Sequence, residues 1–592
     1  FDELVLENEK NLTADLQRMS VELPEDNPEL LEAIKFYNKA GDWKSRNKND
    51  FSAVIREMDK VTNLNSFEDF RTHLLDLIFH SQAPLPFSIS VDADMKDAVH
   101  HSLGFTGPGL ILPDTTYYEE SHPRKAELLS FWQENSKEIL EHFGQKDAQE
   151  IAAKAVAFDG LLVESANTAE EWAKYAELYN PVPFKEFVGH FKNIDFDSFI
   201  KGLVSTEPEK IVVFESRFYD SFDHIINEEN WPLIKAWMLV KIARKATGLL
   251  SDELRLLGSA YGRFLSNVSE ARSQEKHQLD ITESYFSQVI GLYYGLKYFG
   301  EEAKHMTSEM IKVYQERLDK NEWLSRATID KAIEKLSAIT VFIGYPDKLP
   351  EIYSRFKVGN GSLYEDACHF DELLTARHYE KFSEEVDKSL WHMPAHMVNA
   401  YYSPDSNTIV FPAAILQAPF YSLEQSASQN YGGIGAVIAH EISHAFDNNG
   451  AQFDKYGNLN KWWTDEDYEA FEKKQEEMIA AFDGRATEAG PANGKLIVSE
   501  NIADQGGITA AMTAAQKEED VNLTDFFSQW GKIWRMKASM EFQQMLLSMD
   551  VHAPAKLRAN IPPTNLEEFY QTFEVQESDG MYRAPEQRVK IW

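Results

Sequence analysis

A mainly α-helical chain in two domains, one of them carrying a small β element, is the fold class that the sequence predicts, and three observations predict it. The chain has 592 residues, more than one hydrophobic core usually supports. From about residue 25 to 345, apolar residues recur at i, i+3, i+4 and i+7, the period of amphipathic helices. After residue 390 the character changes, and short runs rich in Val, Ile, Tyr and Phe precede further helical stretches.

In the first half, helices are read at NPELLEAIKFYNKA, FEDFRTHLLDLIFH, AQEIAAKAVAFDGLLVESA, WPLIKAWMLVKIARKA and RATIDKAIEKLSAITVFIG. Proline-bearing breaks at NPVPF and GYPDKLP punctuate them, and the second, at 344–350, is the preferred boundary. The division is then residues 1–345, helical, and residues 346–592. In the second part, MVNAYYSPDSNTIVFPAAIL reads as a hairpin around its Ser-Pro-Asp-Ser-Asn turn. YGGIGAVIAHEISHAFDNNG reads as a helix ending near Gly450, a left-handed cap. Three more helices follow at DEDYEAFEKKQEEMIAAF, SENIADQGGITAAMTAAQK and LTDFFSQWGKIWRMKASM. There is no internal repeat or long linker.

Composition excludes several functions. With 96 acidic against 59 basic residues the formal charge is −37, which repels phosphate backbones and anionic membranes. Neither nucleic acid nor a membrane is expected as a partner. Cys368 is the single cysteine, so no intramolecular disulfide can form and packing must hold the fold. No apolar run approaches the length of a membrane span and the start lacks the pattern of a signal peptide. The expectation is a cytoplasmic monomer.

The chemistry is concentrated in AVIAHEISHAFDNNGAQFD, residues 436–454. On a helix His440 and His444 lie one turn apart on one face, so both imidazoles reach one tetrahedral zinc with Glu441 beside them. The bland alternative is a core helix with two satisfied histidines. A catalytic zinc takes three protein ligands and leaves one position to water, so a third ligand must lie elsewhere. Thermolysin-like and aminopeptidase spacings would put a glutamate 19 or 20 residues after His444, where Trp463 and Thr464 stand. The metzincin pattern needs a third histidine soon after the motif, and AFDNNGAQFDKYG has none. The best remaining candidate is SENIADQGG, where Glu500 can ligate and Asp504, one turn on, can support His440. Alone that pair would read as two carboxylates on a solvated helix.

VNAYYSP, HEISHAFDNNG, ENIADQGG and HAPAKLR, in this order and at these separations, resemble the neprilysin family of zinc metallopeptidases. Within it the chain is most similar to the soluble bacterial endopeptidase O type. The resemblance is strong over 390–592 and weaker over the helical half. It implies one zinc per chain held by His440, His444 and Glu500, with Glu441 as general base and Asp447 and Asp504 orienting the ligating histidines. It further implies His552 as the donor to the tetrahedral oxyanion, a catalytic role, and Arg558 as the residue that binds the substrate carbonyl beyond the scissile bond. Asn399 and the backbone of Ala400 correspond to the edge segment that holds an extended peptide. Ile415, Phe420, Val437, Ile533 and Trp534 correspond to the pocket for a hydrophobic P1′ residue. The chain departs from vertebrate members in ending RVKIW, with Val589 where they carry a cysteine.

The expectation is therefore a zinc endopeptidase acting on peptides of up to a few tens of residues, with a thermolysin-like catalytic domain and a helical domain covering the site. A catalytically silent peptide-binding relative would have lost Glu441 or a ligand, and all are present. An exopeptidase would need an acidic group to bind the substrate amine, and no such motif is recognised.

Overall fold

The computed structural model describes residues 1–300 and 304–592. It is mainly α, with 58% helix and 7% strand. Amphipathic stretches become helices where the period indicates: Pro28–Ala40 behind an Asn27 cap, Ala148–Leu162, Trp231–Thr247 and Arg326–Ser337 behind a Ser325 cap. FEDFRTHLLDLIFH forms two short helices, Phe67–Thr72 and Leu74–His80.

The half read as helical also contains a four-stranded sheet. Strands β1 (Ser88–Asp94) and β2 (Asp97–Thr106) form an antiparallel pair, and β3 (Pro181–Pro183) and β4 (Lys210–Val213) complete the order β1-β2-β4-β3. SISVDAD alternates polar and apolar residues, with Ile89 and Val91 buried; this is the period of a half-buried strand, too short to stand out beside the longer helical pattern. Below the sheet, Phe87, Phe105, Phe187, Phe196 and Phe222 pack with ring centroids 5.2–6.0 Å apart.

Packing crosses residue 345 in both directions. Strand β5 (Thr340–Gly344) runs parallel to β7 (Thr408–Pro412), which pairs with β6 (Tyr401–Ser403) as the expected hairpin. This leaves β6 on the sheet edge. In return the helix Leu363–Glu380 packs on Pro28–Ala40 and on β1. Trp463 joins Trp323, Phe471 and Trp592 in an aromatic cluster, and Thr464 caps the helix Asp465–Phe482. The two positions ruled out as ligands thus have structural work.

Candidate metal centre

Two helices build the site. Ala436–His444 carries the histidine motif and Val498–Ala515 carries Glu500 and Asp504. Their close approach depends on the glycines of ADQGG. A Cβ on Gly507 would lie 2.7 Å from the Ala436 carbonyl oxygen and 3.0 Å from His440 N, and one on Gly506 would lie 2.3 Å from Ser443 Oγ. Only glycine lets the second helix come near enough for Glu500 to reach the histidines.

The first helix ends at His444, with Ala445 as a right-handed cap, so Gly450 is not the left-handed cap expected. Gly450 opens a 3-10 turn and packs against the end of the helix, where a Cβ would fall 1.8 Å from the His444 carbonyl oxygen. Asp447 organises this turn. Its Oδ1 accepts from the amides of Asn449 (2.9 Å) and Gly450 (2.6 Å), and its Oδ2 from Ser499 Oγ (2.6 Å) while facing His444 Nδ1 at 2.7 Å. Lys335, buried, donates to the carbonyls of Ala445, Gly450 and Phe453 at 2.7 Å each.

His440 Nδ1 is 2.8 Å from Asp504 Oδ1. With each Nδ1–H donating to a carboxylate, the neutral rings turn bare Nε2 atoms toward one another, 3.0 Å apart. Glu500 Oε2 stands 3.2 Å from His440 Nε2 and 3.5 Å from His444 Nε2, buried and without a hydrogen-bond partner. Such atoms repel unless a metal ion or a proton lies among them, and against burial the carboxylates of Glu500, Asp447 and Asp504 raise the pKa of both imidazoles. A tetrahedral ion with bonds of about 2.0–2.1 Å has ligand–ligand edges of roughly 3.3 Å, close to the separations found. The Glu441 carboxylate lies within 4.8 Å of both imidazole nitrogens, farther than Glu500, so Glu500 fits a third ligand better and Glu441 stands beside the centre. The donor set fits a metal.

The electrostatics agree with this division. Burial pushes the Glu441 carboxyl up, against the pull of His440 and His444. Burial also opposes ionisation of Glu500, yet His552 and His444 hold its carboxyl well below the usual range. Asp504 is held low against burial by Arg558 and His440. Arg558 donates through Nε (2.8 Å) and Nη2 (3.0 Å) to Asp504 and lies 3.6 Å above the Trp534 ring. His552 Nε2 is 3.2 Å from Glu500 Oε2, and its Nδ1 is 2.8 Å from Asp550 Oδ1.

All of these residues except Asp504, which is buried behind His440, line one cavity of about 1760 Å³. Ile415, Phe420, Val437, Ile533 and Trp534 share its wall, with Ile533 fully buried and Trp534 half-buried. Asn399 and Ala400 lie just before the edge strand β6, and Asn399 Oδ1 accepts from the Ala400 amide at 2.9 Å. The sequence reading missed Asp550, Ser499 and Lys335. It expects the helical half over the site but does not name Trp172 and Tyr175, which line the chamber from that half. Burial and the nearby carboxylates of Asp447, Asp405 and Glu500 push the Tyr175 phenol pKa well up and hold it protonated. Asp550, two residues before His552, was legible as a local pair; Trp172 and Tyr175 depend on how distant segments meet.

Two imidazoles and a carboxylate converging in a peptide-sized chamber of a mainly helical fold define a metallopeptidase. Family models described as peptidase family M13 match residues 1–346 and 399–589. The chain belongs to that family, the neprilysin-type metalloendopeptidases, and its substrates are peptides. It is 75% identical to the neutral endopeptidase of Lactococcus lactis subsp. lactis over 596 residues, covering 100% of this chain and 95% of the relative. It superposes with a TM-score of 0.94 and 35% identity on PepO of Lactobacillus rhamnosis, covering 100% of this chain and 95% of that one. The zinc metalloprotease Zmp1 of Mycobacterium tuberculosis, in complex with an inhibitor, gives a TM-score of 0.92 at 26% identity over 100% and 93% of the two chains.

Proposed function

We propose that the chain is a zinc endopeptidase for oligopeptides in which His440, His444 and Glu500 hold one zinc and Glu441 is the general base. The observation that carries this is the meeting of two bare Nε2 atoms and the orphaned Glu500 oxygen within 3.0–3.5 Å. Bound there, zinc would supply Lewis acidity toward a peptide carbonyl and a water acidic enough to lose a proton near neutral pH. Glu441 takes that proton, which its burial-raised carboxyl holds well, and returns it to the leaving amine. Asp504 and Asp447 fix the two rings so that Nε2 faces inward. His552, its Nδ1 facing Asp550, turns Nε2 toward the site, and as the imidazolium it donates from Nε2 to the developing oxyanion. Arg558 spends Nε and Nη2 on Asp504 and keeps Nη1 for a substrate carbonyl. Asn399 and Ala400, leading into the edge strand, suit main-chain pairing with an extended peptide, and the apolar wall around Val437 and Trp534 favours a hydrophobic P1′ side chain. The enclosing walls from both halves favour peptides of up to a few tens of residues over folded proteins.

The test is to measure metal on the purified protein and to follow cleavage of 5–40-residue peptides with and without a chelator. About one zinc per chain is expected, and Glu441→Gln should keep it while losing roughly 10²–10⁴ in kcat. Less than a tenth of a zinc per chain, or a Gln variant as fast as wild type, would overturn the assignment.

A further inference from the structure

Residues Met540–Met549, MEFQQMLLSM, form a helix between the two segments that frame the site, Ile533–Trp534 before it and Asp550–His552 after it. Phe542, Met545, Leu546 and Met549 recur at i, i+3, i+4 and i+7, the spacing of a stripe that ordinarily faces a core. Here no residue of the helix is buried, and all four members of the stripe line the chamber. Met549 is 43% exposed. Across from it the helix Ala169–Ala173 of the first half makes contact and offers Trp172, itself 40% exposed and part of the same wall. The Ser539 hydroxyl, capping the helix, also donates to the Ser266 carbonyl, so the helix bridges the two halves of the chain.

We propose that this stripe, with Trp172 opposite, is a second recognition surface for the peptide substrate, and that it takes an apolar side chain several residues away from the scissile bond. The inference rests on the endopeptidase reading above. Apolar area left in water costs about 25 cal/mol per Å², so a stripe that no core covers gains from any apolar partner that reaches it. The chain that reaches it is the one lying across the metal centre, because His440, Glu441 and Arg558 open into the same cavity. Four of the 15 methionines fall within residues 536–549, and unbranched thioethers adapt to varied shapes. The surface therefore selects apolar character rather than one residue type, and peptides too short to span from the metal to the helix gain nothing from it.

The experiment uses the zinc-loaded full chain and a set of peptides sharing one scissile bond in a polar host. Leucine is walked through the remote positions on both sides, and kcat/KM is divided by that of the leucine-free parent. Wild type should show a gain of about tenfold at one or two remote positions, the worth of partly burying one leucine. In the triple variant Met545→Gln, Leu546→Gln, Met549→Gln the ratio should fall below about twofold. Because each enzyme is compared with itself on the parent peptide, a general loss of activity does not mimic the effect. No gain at any remote position, or an unchanged ratio in the variant, overturns the inference and leaves the peptidase reading standing. An equal loss on every peptide also overturns it and assigns the helix to holding the halves together. A zinc-loaded wild type that cleaves no peptide would instead sink the endopeptidase reading.

Discussion

At the scale of single residues, Asp504 serves two neighbours at once, His440 through Oδ1 and Arg558 through both oxygens. Arg558→Met should therefore raise KM more than it lowers kcat, by removing the proposed substrate contact, and should also weaken zinc retention by leaving a buried carboxylate short of its charge partner. Peptide kinetics and a chelator titration read both; normal KM with normal metal affinity would leave Arg558 without either role. A second residue sets acid sensitivity away from the site. His277 donates through Nε2 to the Gly248 carbonyl at 2.8 Å, and burial, aided by Arg46 and Arg255, pulls its pKa down to about 4. The unfolded chain takes the proton first as pH falls, so stability is full above pH 6.5 and is lost between 6.5 and 4. His277→Gln keeps an N–H for Gly248 and does not titrate. Denaturant melts should show it losing about 1–2 kcal/mol less than wild type across that window, the full shift being discounted for the ring's partial exposure.

At the scale of elements, the turn from Ala445 to Phe453 is held from outside by one side chain of the helix Arg326–Ser337. Lys335 satisfies the carbonyls of Ala445 and Phe453 and shares that of Gly450 with the Phe453 amide, and an unsatisfied buried group costs about 1–3 kcal/mol. Lys335→Met should lower stability by about 3 kcal/mol or more. It should also loosen zinc binding, because the same turn carries Asp447; calorimetry and metal competition measure the two effects, and an unchanged melting temperature would contradict this account. The sequence showed the long helices well, because Pro28–Ala40 or Asp465–Phe482 state their period and caps locally. It showed the β6–β7 hairpin through its turn residues. The hairpin of β1 and β2 is equally periodic but shorter than the helical patterns around it, and the need of Gly450 for a missing Cβ arises from the folded turn rather than from backbone handedness. His440, Glu441, His444 and Glu500 were legible because an i, i+4 spacing and a missing ligand constrain each other. The Lys335 pin and the Trp172 wall were not, since each joins segments more than a hundred residues apart.

At the scale of the whole molecule, both halves of the chain wall the chamber, and if peptide entry requires them to part, a staple between them will block it. The Ser539 hydroxyl on the Ser266 carbonyl marks a place where the two meet, and a cysteine pair there tests the point. Ser266→Cys with Ser539→Cys should, once oxidised, lose at least about tenfold in kcat/KM on peptides of 15 residues or more and recover on reduction. Cys368 will not compete, because burial pushes its thiol up to about 12. An oxidised variant cleaving at full rate would mean that entry needs no such parting. The shared carboxylate of Asp504 also bears on how such a catalyst can change. A lineage or a selection experiment that trades Arg558 for a new substrate contact loses metal in the same step, so its path runs through a poorly loaded enzyme. Substitutions at wall residues that touch neither Asp504 nor Arg558, such as Met545 or Leu546, carry no such penalty, and selection for new peptides should find them first.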